Sequence, residues 1–352
     1  MIHLSVIMPV RNEAEHITDA LDRLLAQQYE PGKLEILVVD GMSEDATPQI
    51  VQEYAQKHPH IRYLENPKKL SSAARNVALK HAKGEAVIIA DGHCFMDDNE
   101  MLRRVDEAFA KSGADCLGRP IVTYERKDAP PFQWANAIAR ESWLGHHPDS
   151  FMYSGQAQFS PASSTAIAYR MSVFEKVGLF DENFDAAEDF EFNTRIDEAG
   201  LKCWFDPAIA IRYEPRKTLG GLWAQVGRYG RGRVRLWRKH RHTASLKSFA
   251  PGFFVVGAIV AGLILLAHTV MRFTPEYFGL VRGFSPFNAL AWLSVMGLGI
   301  YLAIVLVESV RLAFKQKRWD VFQFLPVAFV VIHFGYGWGI LREFFFPKRV
   351  GS

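Results

Sequence analysis

The run Val87-Ile88-Ile89-Ala90, entered from Lys83-Gly84 and left through Asp91-Gly92-His93, constrains this chain more than any other stretch. A strand with no polar alternation must be covered on both faces, the condition of a parallel sheet sandwiched between helices. In such sheets ligands bind beyond the carboxyl ends of the strands. Asp91 and His93 stand at that end. Together they offer a carboxylate oxygen and an imidazole nitrogen, a pair suited to a divalent metal.

The surrounding sequence repeats the same alternation. Leu4–Met8 reads as a strand and Glu15–Gln27 as a helix with Ile17, Leu21, Leu24 and Leu25 on one face. Leu34–Val39 is a second strand, ending at Asp40, and a loop leads to a helix with Thr47 as N-cap and Pro48 as first residue. Ile61–Glu65 and Ala86–Ala90 are further strands, and Ser71–His81 and Glu100–Lys111 further helices. The pattern predicts a parallel, doubly wound α/β sheet. No Gly-x-Gly-x-x-Gly follows the first strand, so the usual dinucleotide fingerprint is absent. Residues 125–160, with Pro130-Pro131, Trp134, Trp143 and His146-His147-Pro148, interrupt the rhythm and read as a loop-and-helix insertion beside the active site. Adjacent His146 and His147 read as solvent-facing. A strand over Thr165–Tyr169, a short helix over Val173–Val177 and a helix opened by Ala187-Glu188-Asp189 follow.

The charge is divided along the chain. A net +3 over 352 residues is too small to argue for nucleic acid, but residues 212–247 are dense in Arg and Lys and residues 250–346 are mostly apolar. Thr218–Lys239 interleaves aromatic and apolar residues with arginines, the pattern of an interfacial helix on an anionic leaflet. Gly252–Val270, Asn288–Val307 and Val321–Ile340 are each long enough, at about 20 residues, to cross a membrane. The basic flanks Arg228–Lys247 and Arg311–Arg318 belong in the cytosol. Three crossings would leave Arg342, Lys348 and Arg349 outside, which makes the third segment, with Pro326, His333 and three glycines, a candidate for re-entry. His333 is open to a functional or a helix-packing role. The division expected is 1–215 soluble, 216–249 interfacial and 250–352 membrane. Cys94, Cys116 and Cys203 form no closely spaced pair, which fits a reducing compartment, and no signal peptide precedes the first strand.

Several motifs occur in a telling order: Pro9-Val10-Arg11-Asn12-Glu13, Val39-Asp40-Gly41, Ala74-Arg75-Asn76, Asp91-Gly92-His93, Phe180-Asp181-Glu182, Ala187-Glu188-Asp189 and Gln225-Val226-Gly227-Arg228-Tyr229. Over roughly residues 4–240 the chain resembles the family 2 inverting glycosyltransferases of GT-A fold, and most of all the membrane-anchored bacterial exopolysaccharide enzymes of the succinoglycan glucosyltransferase type. It departs from them in carrying Asp-x-His for Asp-x-Asp, and Gln-x-x-Arg-Tyr for Gln-x-x-Arg-Trp. The resemblance implies a Rossmann-like, mostly parallel nucleotide-sugar domain with Pro9, Asn12, Glu13, Asp40, Arg75 and Asp91 on the donor. It implies Mn2+ or Mg2+ at Asp91 and His93, with the imidazole favouring manganese. Asp189 would be the general base, Glu188 would orient the acceptor, and Gln225, Arg228 and Tyr229 would meet the acceptor diphosphate. The implied reaction moves one sugar, UDP-glucose by resemblance, onto a polyprenyl-diphosphate-linked saccharide at the bacterial inner membrane, with the catalytic domain cytosolic. Assembly with other exopolysaccharide enzymes is a further implied partnership. Transfer to a polyprenyl phosphate and a degenerate nucleotide-sugar-binding scaffold are the alternatives.

Overall fold

Strand and helix alternate from the first residues onward because each apolar strand needs a helix to cover it. The computed structural model describes residues 1–96, 98–123, 129–145, 154–274, 277, 281 and 285–347; His146 and His147 lie outside them. It contains two units, Met1–Arg126 with Pro148–Pro215 and Lys127–His147 with Arg216–Lys348.

The first unit begins β1 (Leu4–Val10), α1 (Ile17–Leu25), β2 (Leu34–Asp40), α2 (Thr47–Lys57), β3 (Ile61–Glu65), α3 (Ser71–His81) and β4 (Ala86–Ile89). It goes on through β5 (Cys94–Met96), α4 (Met101–Ser112), β6 (Cys116–Gly118) and β7 (Ile121–Thr123). After α5 (Pro131–Arg140), which belongs to the second unit, come β8 (Gln158–Ser160), α6 (Ala162–Thr165), β9 (Ala166–Arg170), α7 (Met171–Val177), α8 (Glu188–Glu198), β10 (Cys203–Phe205) and β11 (Ile211–Tyr213).

Eight strands pair in the order β3-β2-β1-β4-β9-β6-β10-β8, and β5, β11 and β7 make a separate sheet. The first four are parallel. Their side chains alternate between two cores: Val6, Val38 and Ile88 join residues of α1 and α4, while Ile7, Leu37 and Val87 join residues of α3 and α8. Both faces are therefore apolar, which is why these strands read as unbroken hydrophobic runs. The parallel run stops at β4, since β9 runs antiparallel to both β4 and β6, and the sheet is mostly parallel, as the resemblance implied. β9 follows β6 only after β7, α5, β8 and the four-residue α6. Two cysteines far apart in sequence, Cys116 and Cys203, face each other across β6 and β10 as buried free thiols.

In the second unit Thr218 caps α9 (Leu219–Lys239) by accepting from the Gly221 N–H at 3.1 Å. There follow α10 (Leu246–Phe273), α11 (Pro286–Lys315) and α12 (Leu325–Phe345), the last entered by a 3-10 turn at Trp319–Phe324. Leu246–Phe273, Pro286–Lys315 and Trp319–Phe345 are long and apolar enough to cross a membrane. Each extends beyond the segment expected from sequence.

α9 and α12 run side by side with almost no side-chain layer between them. A Cβ on Gly339 would stand 2.2 Å from the Gly227 carbonyl oxygen, and one on Gly230 2.2 Å from that of Tyr336. Such small-residue contacts let two helix backbones approach closely. Further along, Arg235 donates to both carboxylate oxygens of Glu343, at 3.0 and 3.2 Å, and Arg238 donates to the Glu343 carbonyl at 2.9 Å. His333 is held on both nitrogens: Nε2 donates to the Leu144 carbonyl at 2.9 Å and Nδ1 accepts from the Tyr301 hydroxyl at 3.0 Å. Of its two open roles, the geometry matches packing, since the imidazole ties the chain after α5 to α11 and α12.

Gly339→Val gains helix propensity, yet its side chain must push α9 and α12 apart. We expect a loss of about 1–3 kcal/mol, read as a lower melting temperature of the full-length protein in detergent. Gly262→Ala, where a Cβ meets nothing within 4 Å, should leave the melting temperature unchanged or raise it.

Candidate active site

Past the ends of β1 and β2 two loops are knitted together. The Asn12 N–H donates to Ser43 Oγ at 2.8 Å, and the Glu44 N–H donates to Asn12 Oδ1 at 2.9 Å. Next to them the Glu13 N–H donates to Thr47 Oγ1 at 2.8 Å and the Ala14 N–H to Asp45 Oδ2 at 3.0 Å. Asn12 and Met42 are left-handed, with φ of 54° and 58°, a conformation Asn tolerates better than most residues. Thr47 does not act as the N-cap. Ala46 holds the N-cap position, Thr47 is already helical, and the Asp45 carboxylate accepts from the Thr47 N–H at 3.0 Å. A short Asp side chain reaches the N–H two residues on more readily than a hydroxyl does.

Asp40 is buried at the end of β2. It accepts from the Ser43 N–H at 3.1 and 3.2 Å and from the Tyr63 hydroxyl at 3.2 Å. Burial and the Asp40 carboxylate push the Tyr63 phenol up to about 12, so it remains a donor. Pro9, Asn12, Glu13 and Asp40 are thus gathered at one end of neighbouring parallel strands, as the sequence pattern suggested.

The chain leaving β4 passes close to this edge. A Cβ on Gly92 would lie 2.9 Å from Val10 Cγ1 and 3.2 Å from Glu13 Cγ, so only glycine fits between Asp91 and His93 without displacing a neighbour. The Glu13 carboxylate stands 2.9 Å from His93 Nδ1. This contact was not legible from the sequence, where Glu13 was assigned to the donor alone. A carboxylate on one ring nitrogen is the arrangement that orients metal-binding histidines. No group of three or more His, Cys, Asp or Glu side chains is placed to hold a metal among the described residues. Asp91 and His93 supply a carboxylate oxygen and an imidazole nitrogen, and the Glu13 contact orients the imidazole, a donor set that fits a divalent ion.

On the other side of β4 lies a buried charge cluster. Arg75, on α3 and 7% exposed, puts Nη2 3.2 Å from Glu188 Oε1 and its guanidinium 5.2 Å from the Phe180 ring centre. Its Nε and Nη1 are buried without a hydrogen-bond partner. Burial acts against its charge, but Glu188, Asp189 and Asp91 together more than restore it. The Glu188 carboxyl is pushed above its ordinary value by burial, which Arg75 opposes and Asp189 reinforces. The two acidic residues opening α8 thus part company: Glu188 turns inward onto Arg75, while Asp189 is exposed. Ala187, just before them, is left-handed with φ of 61°. Asn76 locks the preceding turn, exchanging hydrogen bonds of 2.9 and 3.0 Å with the Phe180 backbone. Sequence reasoning gave no site-building role to Ser43, Asp45, Tyr63 or Phe180, whose contacts with Asn12, Ala14, Asp40 and Arg75 join separate loops and elements.

Gln225, Arg228 and Tyr229 belong to the second unit, on α9. Gln225 is buried, donates to the Tyr229 hydroxyl at 3.2 Å and leaves Oε1 without a hydrogen bond, while Arg228 and Tyr229 are exposed.

Residues 5–178 match the family model Glycosyl transferase family 2. The chain carries a family 2 glycosyltransferase domain of GT-A-like fold and is a glycosyltransferase. It is 29% identical over 348 residues, 98% of this chain and 96% of the relative, to succinoglycan biosynthesis protein ExoA of Rhizobium meliloti (strain 1021). It is 23% identical over 347 residues, 97% of each chain, to a dolichyl N-acetyl-alpha-D-glucosaminyl phosphate 3-beta-D-2,3-diacetamido-2,3-dideoxy-beta-D-glucuronosyltransferase of Methanococcus voltae. Its fold is similar to that of the mannosyltransferase PcManGT from Pyrobaculum calidifontis, with a TM-score of 0.57 at 19% identity, covering 99% of this chain and 88% of that one. The family match ends before Glu188 and Asp189.

Removing the Arg75 charge leaves Glu188 buried without its partner. We expect Arg75→Met to cost about 3–5 kcal/mol of stability, and Arg75→Met with Glu188→Gln to recover much of it. Denaturant unfolding of the full-length protein and its two variants in detergent measures both.

Proposed function

We propose that the protein is a metal-dependent, inverting glycosyltransferase. It moves a single sugar from a nucleoside diphosphate sugar, UDP-glucose by family resemblance, to a polyprenyl-diphosphate-linked saccharide in exopolysaccharide biosynthesis. One observation carries this reading: Arg75 keeps two buried N–H donors unused beside an exposed Asp189. Buried donors without partners are rare in folded proteins and suit an anionic ligand. The names of two relatives support the setting, one in succinoglycan biosynthesis and the other a transferase acting on a dolichyl-linked sugar phosphate.

In this reading Pro9, Asn12, Glu13 and Asp40 receive the nucleoside, with Asp40 already aimed by Ser43 and Tyr63. Arg75 donates to the diphosphate. Asp91 and His93, the latter oriented by Glu13, would hold Mn2+ or Mg2+; a bound ion would supply charge neutralisation for the departing diphosphate. The PcManGT structure, described with GDP-Man and Mn2+, fits that choice of ion. Asp189 takes the acceptor hydroxyl proton as that oxygen attacks the anomeric carbon from the face opposite the diphosphate, which inverts the centre. Glu188 acts through Arg75 and positions it, a change from the acceptor-orienting role the sequence suggested. Gln225, Arg228 and Tyr229 meet the acceptor diphosphate, with the catalytic domain on the cytosolic side of the bacterial inner membrane. Anionic lipids lie against the basic segment, and other enzymes of the same biosynthesis are its expected company.

Detergent-solubilised protein given UDP-glucose, UDP-galactose or GDP-mannose with lipid-linked saccharides should release nucleoside diphosphate from one donor. EDTA should abolish release, and manganese should restore it better than magnesium. Asp189→Asn should bind that donor as the parent does and transfer at least about 100-fold more slowly. Transfer near the parent rate would remove Asp189 from the role of base, and donor binding without release under every acceptor would favour the scaffold reading.

A further inference from the structure

α9 fixes the depth of α12. The two helices run parallel: a Cβ on Gly335 would meet Val226 Cγ2 at 2.6 Å, Gly339 lies against Gly227, and Glu343 pairs with Arg235. Over this stretch α9 carries Arg228, Arg231, Arg233, Arg235 and Arg238. A helix with so many arginines belongs in the interface plane rather than the hydrocarbon. The half of α12 beside it must share its depth.

Burial along α10 and α11 points the same way. α12 meets α10 only near the start of α10: a Cβ on Gly337 would stand 2.2 Å from the Pro251 carbonyl oxygen and 2.5 Å from Val255 Cγ2, and Phe254 packs on Phe334 at 5.3 Å. Beyond that point α10 packs on α11, where His268 Nε2 lies 3.0 Å from Asn288 Oδ1 and the His268 ring stacks on Phe287, and its outer face is exposed. Leu263 and Leu266 are 60% and 62% exposed, and Cβ atoms on Gly257 and Gly262 would meet nothing within 4 Å. On α11 the buried residues other than Ala291 lie from Val305 to Ala313, near its end. Val305, Leu312 and Ala313 share one cluster with Leu325, Ala328 and Phe329 of α12. α12 thus passes from the end of α11 to the beginning of α10, across one end of the pair. The part of α10 beyond its contact with α12, residues 256–273, is about 27 Å long at 1.5 Å per residue, close to the roughly 30 Å of a bilayer core.

We propose that the chain crosses the membrane twice, through α10 and α11, and that α12 lies with α9 along the lipid interface of a single leaflet. The C-terminus then returns to the side that holds the basic stretch before α10. Arg342, Lys348 and Arg349 stay on the positive side, which three crossings would not allow.

Cysteine labelling in intact cells, with a maleimide that does not cross membranes, tests this in the full-length protein. Tyr277→Cys should be labelled from outside, whereas Phe346→Cys and the parent should be labelled only after lysis. External labelling of Phe346→Cys would establish a third crossing and overturn the proposal, as would failure of Tyr277→Cys to label. Independently of cysteine reactivity, a C-terminal green fluorescent protein should fluoresce and a C-terminal alkaline phosphatase should be inactive; the reverse pattern overturns it. In reconstituted vesicles, a nitroxide at Trp338 should sit at interfacial depth and one at Leu263 deep in the core. Equal depth at both positions would also overturn it.

Discussion

A guanidinium buried among carboxylates is the constraint on which the first unit turns. Arg75 stands on α3, its partner Glu188 opens α8, and its ring contact Phe180 lies in the turn between α7 and α8. Burying a charge is tolerable only when it is paired, and removing one partner strands the other. The pair therefore fixes where α8 begins relative to the sheet, and so where Asp189 emerges. Asn76, one residue after Arg75, fixes the same turn through the Phe180 backbone. Phe180 in turn stacks on Phe192 at 4.3 Å, which ties the charge cluster to the aromatic core behind it.

The second unit depends on an opposite device, the absence of side chains. Glycines on α9 and α12 let two helices meet backbone to backbone, and the buried Arg235–Glu343 pair sets their register. Dispersion across a close helix contact is strong only where shapes match. A bidentate arginine adds direction that packing alone lacks. α5, separated from α9 by many residues of the first unit, shares its apolar cluster with α9, α11 and α12.

Much of this was written plainly in the sequence. Unbroken apolar runs marked the parallel strands because both faces had to be covered, and motif order marked the family. Helix ends shifted by a residue or two, as at Thr47, which is the first helical residue and not the cap before it. What stayed hidden were pairings made by folding: Glu13 with His93, Tyr63 with Asp40, and Glu188 with Arg75. Each joins residues on different loops or elements, and no local periodicity encodes such a contact. The membership of residues 127–147 was hidden for the same reason, since an amphipathic helix does not state which apolar surface it will meet. Three glycines in the last apolar segment were visible, but the helix they admit was not.

The facing thiols of Cys116 and Cys203 have a kinetic meaning. They sit opposite one another inside a parallel ladder, where no reagent reaches either sulfur while the strands stay paired. Alkylation of the native chain at these positions must await a transient parting of β6 from its neighbours. Their reaction rate, divided by that of an unstructured thiol, is thus a native clock for how often this end of the sheet, at β6 and β10, comes apart.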